Sequence, residues 1–155
     1  MRFIPLNKFA DSRGWSLNDI FALAKKNMRA PTEGTNDDIK SPYDYQINYS
    51  ILYPGIVKAW HRHKNQDDYF CILKGMAQVG VYSDENGAEK FFVGEHNPGI
   101  VHIKAGEWHG LTCVGNEPCG LLYFVTKEYN PRVPDEERAP FDKYVGKDWW
   151  LPENK

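Results

Sequence analysis

The stretch Gly55–Gly75, GIVKAWHRHKNQDDYFCILKG, decides how the chain folds. IVKAWHR and YFCILKG are rich in β-branched and aromatic residues, and the polar run KNQDD separates them. Runs of that kind, bounded by turn-forming residues, read as strands. A strand sends successive side chains to opposite faces, so His61 and His63 point to the same side. Asp68 opens the following strand, and a glycine stands at each end of the stretch. A third imidazole, His109, begins another strand-like run further along. The three imidazoles of His61, His63 and His109, with the carboxylate of Asp68, make a donor set suited to iron, manganese, nickel or zinc.

The strand pattern continues on both sides. YQINYSIL precedes the stretch and is closed by the turn dipeptide Pro54-Gly55. MAQVGVYS, KFFVG, IVHI, HGLTCV and GLLYFVT follow it, broken by DENG, NPG, KAGE and GNEP. DENG is a strong hairpin signal, and Lys74-Gly75 marks a turn between YFCILKG and MAQVGVYS. Short strands in succession with no helix between them predict an antiparallel sandwich or barrel over residues 45–127. Before it, Ser16 can cap a short helix in which Leu17, Ile20, Phe21 and Ala24 share a face and Lys25 and Lys26 favour the C-terminal end. The Pro-, Gly- and Asp-rich run from Arg29 to Tyr43 reads as a loop. Beyond residue 128 the chain is Pro-rich and charged, and Trp149-Trp150 near its end predict packing on the barrel or on a neighbouring subunit. With no internal repeat, the expectation is one domain over 1–155: an arm (1–44), a barrel core (45–127) and a C-terminal extension (128–155).

Composition narrows the function. The chain has 155 residues, enough for one domain with a real core, and 14% aromatic content favours β structure. A formal net charge of -2 gives no general drive toward nucleic acid or an anionic membrane. No apolar run approaches the roughly 20 residues of a membrane span. The N-terminus lacks the sustained apolar run of a secretory signal. Cys71, Cys113 and Cys119 lie in apolar strand-like runs and read as reduced, buried thiols of a cytoplasmic protein.

Gly55, His61, His63, Asp68 and Gly75 together resemble the first motif of the cupin family: a glycine, His-x-His, an acid and a second glycine at fixed spacing. Lys104, Gly106 and His109 resemble the second, with lysine where proline is usual. The resemblance implies an all-β, cupin-type antiparallel barrel, or jelly roll. A longer match lies in QINYSILYPGIVKAWH, which resembles the dTDP-4-dehydrorhamnose 3,5-epimerase branch of the cupins. Gln46, Asn48, Ser50, Gly55 and His61 fall on that branch's pattern without a gap, and Lys58 stands at its arginine. FADSRGW resembles its Phe-x-x-x-Arg-Gly stretch, IKAGEWHG its His109-bearing segment, and YFVTKEYNP its paired-tyrosine segment.

That resemblance implies a nucleotide-4-keto-6-deoxysugar epimerase of deoxysugar or surface-polysaccharide biosynthesis, working without a cofactor on a dTDP- or UDP-linked sugar. His61 would remove the proton beside the ketone, Tyr123 or Tyr129 would protonate the opposite face, and His109 would stabilise the negative charge on O4. Asp148, in the tail GKDWW, would orient His61. Gln46, Asn48 and Lys58 would hold the diphosphate, with His63 standing where the branch has a glutamine. Phe9 and Arg13 would reach the nucleotide of the partner subunit in a homodimer with exchanged N-terminal segments.

The chemistry is self-consistent. A neutral imidazole suits a general base near neutral pH. A regular strand, however, would send Lys58 and His61 to opposite faces, so a bulge or twist is required. Two departures stand out. Asn18 occupies a glutamate position, and Asp68 occupies the place of the lysine that stabilises the enolate, where a carboxylate would repel negative charge unless a cation lies beside it. Two alternatives therefore remain open: a metal-dependent cupin enzyme using His61, His63, Asp68 and His109 with a divalent transition metal, or a sugar-nucleotide binding module without catalysis.

Overall fold

The computed structural model describes residues 3–11, 14–17, 20, 46–127 and 130–150, with backbone only at 9–11 and 14–17. The twelve strands among the described residues are β1 (Phe3–Pro5), β2 (Lys8–Asp11), β3 (Gly14–Leu17), β4 (Gln46–Leu52), β5 (Val57–Arg62), β6 (Asp68–Lys74), β7 (Met76–Ser83), β8 (Gly87–Gly94), β9 (Gly99–Ile103), β10 (Trp108–Cys113), β11 (Cys119–Val125) and β12 (Glu137–Arg138). They form two five-stranded antiparallel sheets, β1-β9-β6-β11-β4 and β12-β5-β10-β7-β8, and β2 pairs with β3 as a separate hairpin. Every strand expected between residues 45 and 127 is present. The all-β barrel is therefore as the sequence reads.

Alternation within each strand explains the layering. In β7, Ala77, Val79 and Val81 point between the sheets, while Gln78, Gly80 and Tyr82 point outward. Phe70, Ile72, Val93, Val101, Ile103, Leu111 and Leu121 complete the core between the sheets. β6 and β7 lie in different sheets, and the chain crosses between them at the single residue Gly75, whose φ of 69° is open to glycine. DENG forms the expected hairpin, pairing Ser83 with Gly87.

Both outer faces carry cover. Ile4 and Leu6 pack with Tyr69, Cys71, Ile100 and Phe124 on the first sheet. On the second, a short 3-10 helix at Lys147–Trp150 lays Trp149 and Trp150 against Trp60 and Gly80. The indole N–H groups of Trp60 and Trp150 both donate to the Phe141 carbonyl, at 2.8 and 3.0 Å. The tryptophan pair thus packs on the barrel. All three cysteines are free and buried, and burial pushes the Cys71 and Cys119 thiols up to about 12.

The N-terminal helix needs correction at its start. Ser16 and Leu17 belong to β3, paired with Phe9 and Lys8. The backbone there is committed to a hairpin ladder, so Ser16 is not a helix cap. Phe21, Ala24, Lys25 and Lys26 lie outside the described residues. Among the described residues there is no α-helix of seven or more residues, and no helix long and apolar enough to cross a membrane.

Candidate active site

β4, β5, β6, β10 and β11 bring their inward side chains to one end of the barrel, around a cavity of ≈ 300 Å³. Gln46, Asn48, Lys58, His61, His63, Asp68 and Tyr123 all line it, so most of the residues singled out in the sequence meet there. The volume is at the small end of the range for small-molecule sites. Gln46 and Asn48 sit on the inward face of β4, and the Gln46 amide donates to Asn48 Oδ1 at 2.8 Å.

The conflict between Lys58 and His61 is resolved by a bulge. Along β10, His109 pairs with His61 and Leu111 pairs with Lys58, so β5 carries one extra residue there. That extra residue restores both side chains to the cavity face. The outward residues of the bulge, Ala59 and Trp60, feed the tryptophan cluster instead, and Ala59 fills the space beside Gly110 that a side chain there would need.

The three imidazoles form a tight group. The His61 and His109 ring centroids are 4.1 Å apart, with His63 5.6 Å from His61 and 5.8 Å from His109. Nitrogen and oxygen donor atoms of His61, His63, Asp68 and His109 all lie within 4.8 Å of one another. Backbone carbonyls set two tautomers. His63 Nδ1 lies 2.5 Å from the Asp135 carbonyl, and His109 Nδ1 lies 3.1 Å from that of Glu107. A carbonyl only accepts, so each Nδ1 carries a proton, and in its neutral form each ring turns a bare Nε2 lone pair inward. Those lone pairs face Asp68 Oδ2, at 3.8 Å from His63 and 3.1 Å from His109. His109 Nε2 is buried with no hydrogen bond in good geometry, although it is within ion-pair distance of Asp68. Acceptors so placed repel unless positive charge, as a proton or a metal cation, lies between them. The four residues therefore fit a divalent metal in donor chemistry, and outer hydrogen bonds orient three of them, His63, His109 and Asp68.

Burial holds His61 far below the ordinary imidazole range, helped by His109, His63, Lys58 and Arg138, so the ring is neutral near pH 7. Burial, followed by the charge of Asp68, raises the Tyr123 phenol, which stays protonated as a donor.

Asp148 is not brought to this site. It lies in the 3-10 helix on the outer face of the second sheet, because Trp149 and Trp150 pin that helix against Gly80 on the side away from the cavity. Arg13 and Tyr129 lie outside the described residues, as does the Phe9 side chain. The sequence reading also missed a whole wall. Gln66, Lys127, Asn130, Val133, Asp135, Glu136 and Arg138 line the cavity. Most belong to a Pro-rich, charged segment with no strand periodicity, which ordinarily reads as a solvated tail.

Comparison with known proteins agrees with this architecture. The model of the polysaccharide biosynthesis C-terminal domain family matches residues 36–137. The probable low-salt glycan biosynthesis epimerase Agl13 of Haloferax volcanii is 40% identical, the match covering 71% of this chain and 78% of that protein. The spore coat polysaccharide biosynthesis protein SpsL of Bacillus subtilis is 37% identical, covering 67% and 74%. Among solved structures, the dTDP-6-deoxy-D-glucose-3,5-epimerase RmlC of Legionella pneumophila, in complex with dTDP-4-keto-L-rhamnose, superposes with a TM-score of 0.73. That match covers 97% of this chain and 79% of RmlC at 19% identity, and so establishes a shared cupin fold.

Proposed function

The chain belongs to the polysaccharide biosynthesis C-terminal domain family, and on that premise we propose that it is an epimerase of a nucleotide-linked 4-keto-6-deoxysugar. One observation carries the reading: Gln46, Asn48, Lys58, His61 and Tyr123, drawn from three strands, converge on a single cavity. The relative Agl13 is itself named as a probable epimerase.

A ketone at C4 acidifies the protons on C3 and C5. In the cofactor-free form of the reading, His61, neutral but weakened as a base by its burial, takes one of these protons, and Tyr123, kept protonated, returns one from the opposite face. The Gln46 and Asn48 amides and the Lys58 ammonium bind the diphosphate, the lysine acting as a point charge. Incubation with dTDP- and UDP-linked 4-keto sugars in D2O tests this by deuterium incorporation at C3 or C5.

The inward lone pairs of His63 and His109 beside Asp68 favour a second form of the same reading. Here His61, His63, His109 and Asp68 would hold a divalent transition metal, whose positive charge would stabilise the enolate oxygen in place of the lysine of the dTDP-4-dehydrorhamnose 3,5-epimerase branch that the sequence resembles. His61 then serves as a donor rather than as the base, and Tyr123 keeps its place as a proton donor on the cavity wall. Metal analysis of protein purified without an affinity tag separates the two forms.

The outward face of β4 exposes Ile47, Tyr49 and Ile51, with Tyr53 just past its end, which supports a homodimer built on this face. Sedimentation as a monomer would count against it.

A further inference from the structure

One residue ties the overlooked wall of the cavity to the histidine cluster. Asp135 Oδ1 accepts from the Lys64 amide at 3.0 Å, and Oδ2 accepts from the Asn65 amide at 2.9 Å. Its own carbonyl accepts from His63 Nδ1 at 2.5 Å. Three consecutive residues, 63 to 65, thus each bond to Asp135. The same segment is anchored a second way, two residues on. Glu137 accepts from Arg62 at 2.8 and 2.6 Å, pairs with Lys64 at 2.9 Å, and lies opposite Arg62 in the ladder between β12 and β5.

We propose that Asp135 is a positioning residue: its carboxylate locks the 64–65 backbone against the wall segment, so that its carbonyl holds the His63 ring with Nδ1 protonated and Nε2 aimed at Asp68 and His109. His63 lies just past the end of β5; the Gly106 N–H donates to its carbonyl at 2.6 Å, but that bond holds the backbone and not the ring. An imidazole there would otherwise exchange tautomers and rotate. Bonds from backbone N–H groups to an ionised carboxylate are roughly twice as strong as neutral ones, which suits them to this task. A carbonyl can accept only one of the two tautomers, so the choice of nitrogen is made by Asp135 rather than by the site's ligand. The kinetic consequence rests on the epimerase reading. The tautomer does not.

The full-length chain and its Asp135→Ala, Asp135→Asn and Glu137→Gln variants are compared without substrate by long-range proton–nitrogen correlation NMR of His63. In the parent protein Nδ1 carries the proton. Asp135→Ala is expected to populate both tautomers, and Asp135→Asn, which keeps one acceptor oxygen, is expected to lie between. Glu137→Gln loosens the same segment and is expected to keep the parent pattern. In parallel, kcat for proton exchange should fall about 10- to 100-fold in Asp135→Ala, the usual cost of losing a group that orients a functional histidine, with KM little changed and partial recovery in Asp135→Asn. An Asp135→Ala protein with the parent tautomer overturns the proposal. So does a Glu137→Gln protein that loses the tautomer equally, because general loosening then explains both. If no sugar nucleotide is turned over by any of the proteins, the epimerase reading fails and the tautomer result still decides the role of Asp135.

Discussion

Nε2 of His109 lies 3.1 Å from Oδ2 of Asp68, and both side chains are almost wholly buried, at 2% and 4% exposed. The His109 proton sits on the far nitrogen, held by the Glu107 carbonyl, so the facing atoms are both acceptors in the neutral state. Asp68 Oδ1 is meanwhile held by the Gln66 amide at 2.6 Å, which fixes the carboxylate in this pose. The pair is a cradle for positive charge beside the cavity that Asp68 lines.

Replacing Asp68 separates the two forms of the mechanism. If the cluster holds a metal, Asp68→Asn weakens its retention about 10- to 100-fold or more and lowers proton exchange with it. If no metal takes part, removing a carboxylate that opposes enolate charge raises the exchange rate. Elemental analysis and exchange kinetics on the same preparation read both outcomes.

Tyr123→Phe removes the protonated phenol from the cavity wall while keeping the ring that packs edge-on against Phe70. Epimer formation is expected to drop about 10²- to 10⁴-fold, the typical contribution of a general acid. Washout of substrate label by the base should drop less. Equal loss of both, measured by mass spectrometry and NMR, would remove Tyr123 from the proton path.

Most of the fold was legible in the sequence because its signals are local. Alternation in YQINYSIL and MAQVGVYS, the DENG hairpin and the glycine at 75 each act within a few residues, and each is where the reading put it. The His61, His63 and Asp68 group was legible for the same reason. The bulge was legible only as a requirement: Lys58 and His61 had to share a face, but the extra residue is set by the pairing of β5 with β10, which sequence spacing does not express. Asp148 followed a loose match in the tail, whereas the tail's course is set by where two tryptophans find an apolar surface. Asp135 was invisible, since its partners are backbone amides some seventy residues away.

Gly80 has no room for a side chain. A Cβ there would stand 2.6 Å from Trp150 and 2.8 Å from Trp149. Indole rings clamped in a cluster yield poorly, so Gly80→Ala should cost about 1–3 kcal/mol of overpacking strain. For a chain of this size, Tm should fall by about 2–4 °C per kcal/mol. An unchanged Tm would show that the tail is not seated as described.

Acid should release the wall segment. Burial raises the Asp135 carboxyl, but the Asn65 and Lys64 N–H groups outweigh it and hold the group below its ordinary value. Lys64 and Arg62 lower Glu137 likewise. A carboxyl whose folded value is depressed stabilises the fold above its unfolded value and loses that contribution as the pH falls through the folded one. The stability gap between the parent and a Glu137→Gln variant should therefore be constant near neutrality and close from about pH 4 downward. Thermal unfolding across that range measures it, and a gap that widens in acid would reverse the assignment.

The central claim is that the cavity epimerises a nucleotide-linked 4-keto sugar. The direct measurement is NMR of dTDP- and UDP-linked 4-keto-6-deoxysugars incubated with the protein in D2O, beside a folded His61→Asn variant. Deuterium is expected at C3, C5 or both with the parent protein and is expected to be lost in the variant. Absence of exchange with every such sugar, from a protein that is folded, would contradict it.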